Sequence, residues 1–204
     1  MPKSAEQCEL IKDTMRNKIL ESSLVYFAKY GYYGTKISDL AKFIGIGQGT
    51  FYCYFHSKED MLNQILKMGT EKNCEDMIQL QNAPLNASEK IEKLSEHIIE
   101  QVANNSQIIY LFALNVQVAG QKDFDNPFTD EYEKVPNAVL TEIIVTGQQE
   151  GTVVHGNPEM LADFYWSMVH AMAVKSIFNN RHKTFEARLL SRLLLKDQCM
   201  GEDT

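Results

Sequence analysis

Residues 35–58 read TKISDLAKFIGIGQGTFYCYFHSK. Ile37, Leu40, Ala41 and Ile44 fall at helical spacing and give residues 36–43 one apolar face. Thr35 precedes this segment as the expected N-cap, its hydroxyl offered to a first-turn N–H. Gly45 stands where a helix ends in left-handed backbone, which glycine adopts at low cost. In a second segment, residues 48–55, Phe51 and Phe55 lie four apart and face the first helix. Thr50, Tyr52 and Tyr54 cannot all share that buried face, so with Gln48 they form a surface of hydrogen-bonding side chains.

Two short helices joined through a glycine-bearing turn make a helix-turn-helix. The second helix of such a unit fits the DNA major groove, about 12 Å wide. Upstream, residues 7–30 carry Ile11, Met15, Ile19, Leu20, Ser23 and Phe27 as one stripe and end at Gly31 and Gly34. A helix there completes a three-helix module. Ser57, followed by Glu59 and Asp60, opens a fourth helix that reaches to about residue 81.

The ordered run from Gly45 to Leu62 resembles the DNA-binding domain of the tetracycline-repressor (TetR) family of bacterial transcriptional regulators. That family's run is Gly-Val-Ser-Lys-Gly-Thr-Leu-Tyr-Tyr-Tyr-Phe-x-Ser-Lys-Glu-x-Leu, and the match is nearly position by position. Phe27 and Gly31-Tyr32 before Thr35 are similar to the end of the family's first helix. The likeness is specific over residues 8–66 and architectural beyond them. It implies an N-terminal DNA-binding domain, residues 1–57, and a ligand-binding and dimerisation domain, residues 58–204, with the helix at about 58–81 as connector.

A regulator of this kind must hold phosphates and read base edges. The resemblance assigns that work to Thr35, Lys36, Gly47, Gln48, Gly49, Thr50, Tyr52, Tyr54 and Lys58, with Lys58 as a phosphate ligand. Gln48 is the best base reader, because a glutamine amide pairs bidentate with adenine. The family often has Ser-Lys where this chain has Gly47-Gln48, so a different operator and less charge-driven affinity are expected. Each has a plain competitor: Tyr52 and, more evenly, Tyr54 with packing of the module, and Lys36 with a solvated surface lysine.

Composition agrees with a soluble globular chain: 204 residues, 44% hydrophobic and 23% charged. The net charge of −7 is unevenly spread. Residues 1–70 hold nine Lys/Arg and seven Asp/Glu, a net of +2, whereas residues 71–204 hold eleven and twenty, a net of −9. The local balance at the module is the one that bears on phosphate contact. No apolar run is long enough for a membrane helix, and the N-terminus has no apolar signal core. A cytoplasmic location is expected. The four cysteines, Cys8, Cys53, Cys74 and Cys199, have no paired spacing and read as reduced thiols.

Beyond the module the chain reads as further helices, about nine in all, in an all-α fold. Asn86 and Glu89 form a capping-box pattern, followed by Ile91, Leu94, Ile98 and Val102. Residues 106–119 are apolar on most sides and therefore buried. Residues 120–128 read as a loop and 132–149 as a helix, with Pro136 marking either its first turn or a kink. Asn157-Pro158-Glu159 starts a helix to about residue 179, and Phe185, Leu189, Leu190, Leu193 and Leu194 stripe a last one ending near residue 198.

By type and helix, the candidate ligand-binding residues are Tyr110, Phe112, Phe128, Tyr132, Trp166 and His170, each with plain core packing as its competitor. The acidic balance slightly favours a cationic effector. The resemblance implies a homodimer built on the two C-terminal helices, with Tyr165, Val169, Leu189, Leu190, Leu193 and Leu194 at its interface; the same stripes would serve an intramolecular core. The expected partners are an operator in double-stranded DNA, a small-molecule effector and a second copy of the chain, with no membrane. No metal-ligand spacing, nucleophile elbow or phosphate loop occurs, so no metal, cofactor or enzymatic activity is expected. The rival is an all-helical small-molecule-binding or protein-interaction module with vestigial DNA binding, for which Gly47-Gln48 is the best support.

Overall fold

The computed structural model describes residues 5–104, 106–119, 127–178 and 185–196. Among the described residues are nine helices and no strand, in the order α1 (Ala5–Tyr30), α2 (Ile37–Ile44), α3 (Gln48–Tyr54), α4 (Lys58–Asn82), α5 (Ala87–Ala103), α6 (Gln107–Ala119), α7 (Pro127–Gln149), α8 (Pro158–Phe178) and α9 (Ala187–Ser191). The all-α expectation holds.

Local chemistry sets most of these ends. Gly45 takes φ +80° after α2, and its N–H donates to the Ala41 and Lys42 carbonyls. The Ser57 hydroxyl accepts from the Asp60 N–H at 2.9 Å to cap α4. Asn86 and Glu89 close a full capping box on α5. Asn157 Oδ1 accepts from the Met160 N–H at 3.0 Å at the head of α8.

Thr35 corrects one expectation. Lys36, not Thr35, occupies the N-cap of α2, and no side chain caps that end. Thr35 is buried instead, and its hydroxyl donates to the Gly31 carbonyl at 2.5 Å, tying the end of α1 to the start of the turn. Two boundaries also move. Helix α7 begins at Pro127, inside the expected loop, so Pro136 lies in the helix interior rather than at its first turn. The last helix ends at Ser191 rather than near residue 198. There the backbone turns to pair with the 152–154 connection: the Val154 N–H donates to the Leu194 carbonyl at 2.8 Å, and the Lys196 N–H donates to the Thr152 carbonyl at 3.0 Å. That pairing leaves one isolated antiparallel bridge, Val153 with Leu195.

One apolar cluster runs through both halves of the chain. In the module it is built from Ile19, Phe27, Leu40, Phe51, Phe55, Met61 and Leu62, and it continues through α4 into α5–α8. Helix α4 packs chiefly on α7, and the end of α1 packs on α6. Where α4 meets α6, Gly69 leaves room for Leu111: a Cβ at residue 69 would sit 2.3 Å from Leu111 Cδ2.

The expected dimer stripe divides on this fold. Tyr165, Val169, Leu190 and Leu194 are buried within the single chain and are unavailable to a partner. The Tyr165 hydroxyl even shares a buried hydrogen bond with Ser95 Oγ at 3.0 Å, and burial raises its pKa. Leu189 is exposed and Leu193 half-buried. The reason lies in the shortness of α9: its residues turn back onto α5 instead of lining up beside α8.

Candidate DNA-reading surface and effector cavity

The reading surface starts from a turn fixed by backbone bonds. The Ile46 N–H donates to the Ala41 carbonyl at 3.0 Å, so α3 leaves α2 at a set angle. Phe51 and Phe55 are buried and anchor α3 to the module core, with ring centroids 5.7 Å apart. The other side of α3 is open. Gln48, Gly49, Tyr52 and Cys53 are exposed, Thr50 sits half-buried at the rim, and Gly47 is exposed at the N-cap. Tyr54 is only partly exposed and packs against the core. Lys36 is exposed at the head of α2. The structure therefore gathers Lys36, Gly47, Gln48, Gly49, Thr50 and Tyr52 toward solvent and withdraws Thr35. Cys53 joins that surface without having been expected there; its place one residue beyond Tyr52 was the signal.

Lys58 is placed otherwise than as a free phosphate ligand. Its Nζ donates to the carbonyls of Tyr32, Tyr33 and Thr35 at 2.9, 3.2 and 3.0 Å, and lies 4.4 Å from the centroid of the Tyr32 ring. An ammonium has three donors, and all three meet the turn between α1 and α2. Burial lowers its pKa. The Tyr32 hydroxyl is pushed up to about 12 by burial and by nearby Glu59. A second clamp joins α1, α3 and α4. Arg16 Nη2 donates to Gln64 Oε1 at 2.5 Å, and its guanidinium lies 5.2 Å from the Phe55 ring centroid. Gln64 in turn donates to Asp60 at 2.7 Å, and Asp60 accepts the His56 N–H at 2.9 Å. Burial alone would raise the Asp60 pKa, but these donors and Arg16 outweigh it and hold it low.

A cavity of about 360 Å³ lies where α4, α6, α7 and α8 converge, lined by Asn73, Phe112, Pro136, Asn137, Asp163, Trp166, Ser167 and His170. Its size suits a small molecule. Phe112, Trp166 and His170 were expected as ligand residues and do line it. Phe112 packs edge-on to both, at 6.4 Å from Trp166 and 5.5 Å from His170. Tyr110 does not line it: its ring lies 5.6 Å from Lys29 Nζ, against α1. The side chains of Phe128 and Tyr132 lie outside the described residues. Missed entirely were Asn73, Pro136, Asn137, Asp163 and Ser167. For Asn73 the signal was legible, a polar residue inside the buried Leu62, Ile65, Leu66, Met77 stripe of α4.

The cavity is polar where it should be costly. Trp166 Nε1 and Asn137 Oδ1 are buried with no hydrogen-bond partner. Asn137 Nδ2 donates to Asp163 Oδ1 at 2.5 Å, leaving its carbonyl oxygen free. Burial lowers the pKa of His170, which favours a neutral ring. Two contacts lead from this region to the module. Gln117 Nε2, on the same helix as Phe112, donates to the Ala28 carbonyl of α1 at 2.9 Å, and Tyr110 lies against Lys29.

Residues 19–65 match the family model described as bacterial regulatory proteins, tetR family. Among curated proteins, the fatty acid metabolism regulator protein of Bacillus subtilis (strain 168) is 24% identical over 147 residues, covering 71% of this chain and 76% of its own length. The fold is shared with a transcriptional regulator from Saccharomonospora viridis solved with choline, at a TM-score of 0.66 and 18% identity, covering 90% of this chain and 99% of that one. It is also shared with the regulator AibR, solved with isovaleryl coenzyme A and operator DNA, at a TM-score of 0.70 and 19% identity, covering 87% and 94%. No helix among the described residues is long and apolar enough to cross a membrane.

Proposed function

We propose, from the match of residues 19–65 to the tetR family of bacterial regulatory proteins, that this chain is a homodimeric, effector-responsive repressor of that family acting on DNA in the cytoplasm. The observation that carries the reading is the division of α3 into an anchored side, Phe51 and Phe55, and an open polar side, Gln48, Gly49 and Tyr52. Gln48 reads a base edge; Lys36, Thr50 and Tyr52 meet phosphates or bases; Gly47 and Gly49 let the backbone approach. Lys58 supports this surface from behind by holding the turn that carries Lys36. The assembly of relatives supports a regulator rather than an enzyme, and one structural neighbour was solved with both a small molecule and operator DNA.

Of the residues expected at the dimer interface, Leu189 stays open to a partner, and Phe164, Met168 and Phe178 join it. Phe164, Met168 and Phe178 are exposed at helical spacing along α8, and Leu189 is exposed beside them in sequence on α9. Such a stripe is a docking face for a second copy. Two copies would present their α3 helices to successive major grooves, about 34–36 Å apart.

The route from cavity to DNA is short. Helix α4 carries Asn73 in the cavity and Lys58 at the module, about 22 Å apart along the helix at roughly 1.5 Å per residue. Helix α6 carries Phe112 in the cavity and Gln117 against α1. An effector that binds better to a conformer with the wrong α3 spacing releases the operator by population shift. The test is fluorescence anisotropy on DNA from upstream of the chain's own gene, across a salt series. Sequence-specific binding is expected; binding that never exceeds random DNA, even at low salt, rejects the reading.

A further inference from the structure

We propose that the cavity between α4, α6, α7 and α8 takes a small organic cation that also carries a hydroxyl or carbonyl oxygen. The proposal rests on the effector-pocket reading above and names the ligand class for it.

Three observations converge. First, the described lining contains one carboxylate, Asp163, and no lysine or arginine. Second, two aromatic rings, Phe112 and Trp166, stand in the wall with centroids 6.4 Å apart, and an indole face is the best aromatic partner for a cation. Third, the lining holds one unpaired donor and one unpaired acceptor. Trp166 Nε1 is a donor on a side chain only 9% exposed, and Asn137 Oδ1 is an acceptor. Leaving both buried without partners is costly, and a ligand oxygen and a ligand O–H or N–H would satisfy them together. An anionic or phosphate-bearing ligand finds none of this: its charge would meet Asp163 and no described cation in the wall. A purely apolar ligand would leave Trp166 Nε1 and Asn137 Oδ1 unpaired.

The geometry also orients the ligand. The Asn137 amide donates to Asp163, so the carboxylate is held beside the free Asn137 oxygen. The positive group therefore sits toward Asp163 and the Trp166 face, and the ligand oxygen toward Trp166 Nε1.

The experiment uses calorimetry on the full-length protein with three cationic probes: choline, ethanolamine and benzyl(2-hydroxyethyl)dimethylammonium. The controls are 3,3-dimethylbutan-1-ol, the neutral carbon isostere of choline, and isovaleryl coenzyme A. At least one cation should bind with roughly tenfold or greater preference over its neutral counterpart. Asp163→Asn and Trp166→Phe should each weaken that binding about tenfold while the circular-dichroism spectrum and thermal transition show a folded protein. The proposal is overturned if no cation binds below about 1 mM, if the neutral isostere binds equally, if the coenzyme A ester is preferred, or if neither substitution changes affinity. Operator binding is measured on the same preparations. Retained operator binding with no cation binding defeats this proposal alone, whereas absence of specific DNA binding defeats the regulator reading and leaves the cation result to stand on its own titration.

Discussion

The DNA-reading module and the effector domain put their polar groups on opposite sides of their cores. Among the described residues of the module, the buried polar side chains are spoken for. Thr35 bonds Gly31, Lys58 bonds three carbonyls, and Asp60, Gln64 and Arg16 bond one another. Its spare hydrogen-bonding side chains, Gln48 and Tyr52, face solvent. In the effector domain the spare groups are inside: Trp166 Nε1, Asn137 Oδ1 and Asn115 Oδ1 are buried and unpaired. A rigid satisfied interior with a polar exterior suits recognition of an outside partner. An interior that holds unpaired donors and acceptors suits a guest.

Breaking the module's interior should have the largest effect. Phe51→Ala removes a fully buried ring and should cost about 3–5 kcal/mol, read as an early urea transition and lost DNA binding. Tyr52→Ala, one residue on but exposed, should shift stability by no more than about 0.5 kcal/mol while weakening DNA binding. If the two variants lose stability equally, the inside–outside division of α3 is wrong.

Lys58→Ala comes next. Stripping the donors from three carbonyls should cost roughly 1–3 kcal/mol in denaturant unfolding. The salt dependence of the DNA binding that remains should keep its slope. A slope lower by about one unit would instead count Lys58 among the phosphate contacts.

In the effector domain a pH dependence of stability is expected. His170 has a lowered pKa in the folded chain, so the unfolded chain binds the proton more readily. Its stabilising contribution is present above the ordinary histidine value, about 6.5, and is lost as pH falls below it. The thermal transition should therefore drop between pH 7.5 and pH 5.5, and His170→Gln should reduce that drop. An identical pH profile in the variant would remove His170 as the cause.

The smallest effect sharpens the comparison most. Gly49 has open space around an added Cβ, so Gly49→Ala should fold normally and gain about 0.5–1 kcal/mol of helix stability. The same methyl should weaken operator binding if the backbone of α3 lies close to DNA. A gain in stability with unchanged DNA affinity would place that stretch away from the groove.

What was legible in the sequence follows the same division. Gly45, Ser57, Asn86 and Asn157 announced helix ends because each end is decided by a few neighbouring residues. Leu40, Phe51 and Phe55 announced the module core because the helices there are short and their faces unambiguous. Thr35 misled because a hydroxyl beside a helix start has two acceptable bonds, and the choice of Gly31 depended on how α1 ends. The dimer stripe misled for a longer-range reason. Nothing within residues 185–194 says that Lys196 and Leu194 will bond residues 152 and 154 and so cut α9 short. Asn137 and Asp163 were invisible because they are far apart in sequence and become a pair only when α7 meets α8.

Gly69 sets how faithfully the two halves can communicate. With no side chain on residue 69, the Leu111 side chain of α6 bears directly on the backbone of α4, as two machine parts do when no shim separates them. Such a joint has little backlash on the α4 side: a shift of α6 driven by a guest against Phe112 reaches α4 through Leu111, with no rotamer at residue 69 to absorb the stroke. Enlarging residue 69 would first displace the Leu111 side chain, putting a movable part into a joint that now has none on the α4 side.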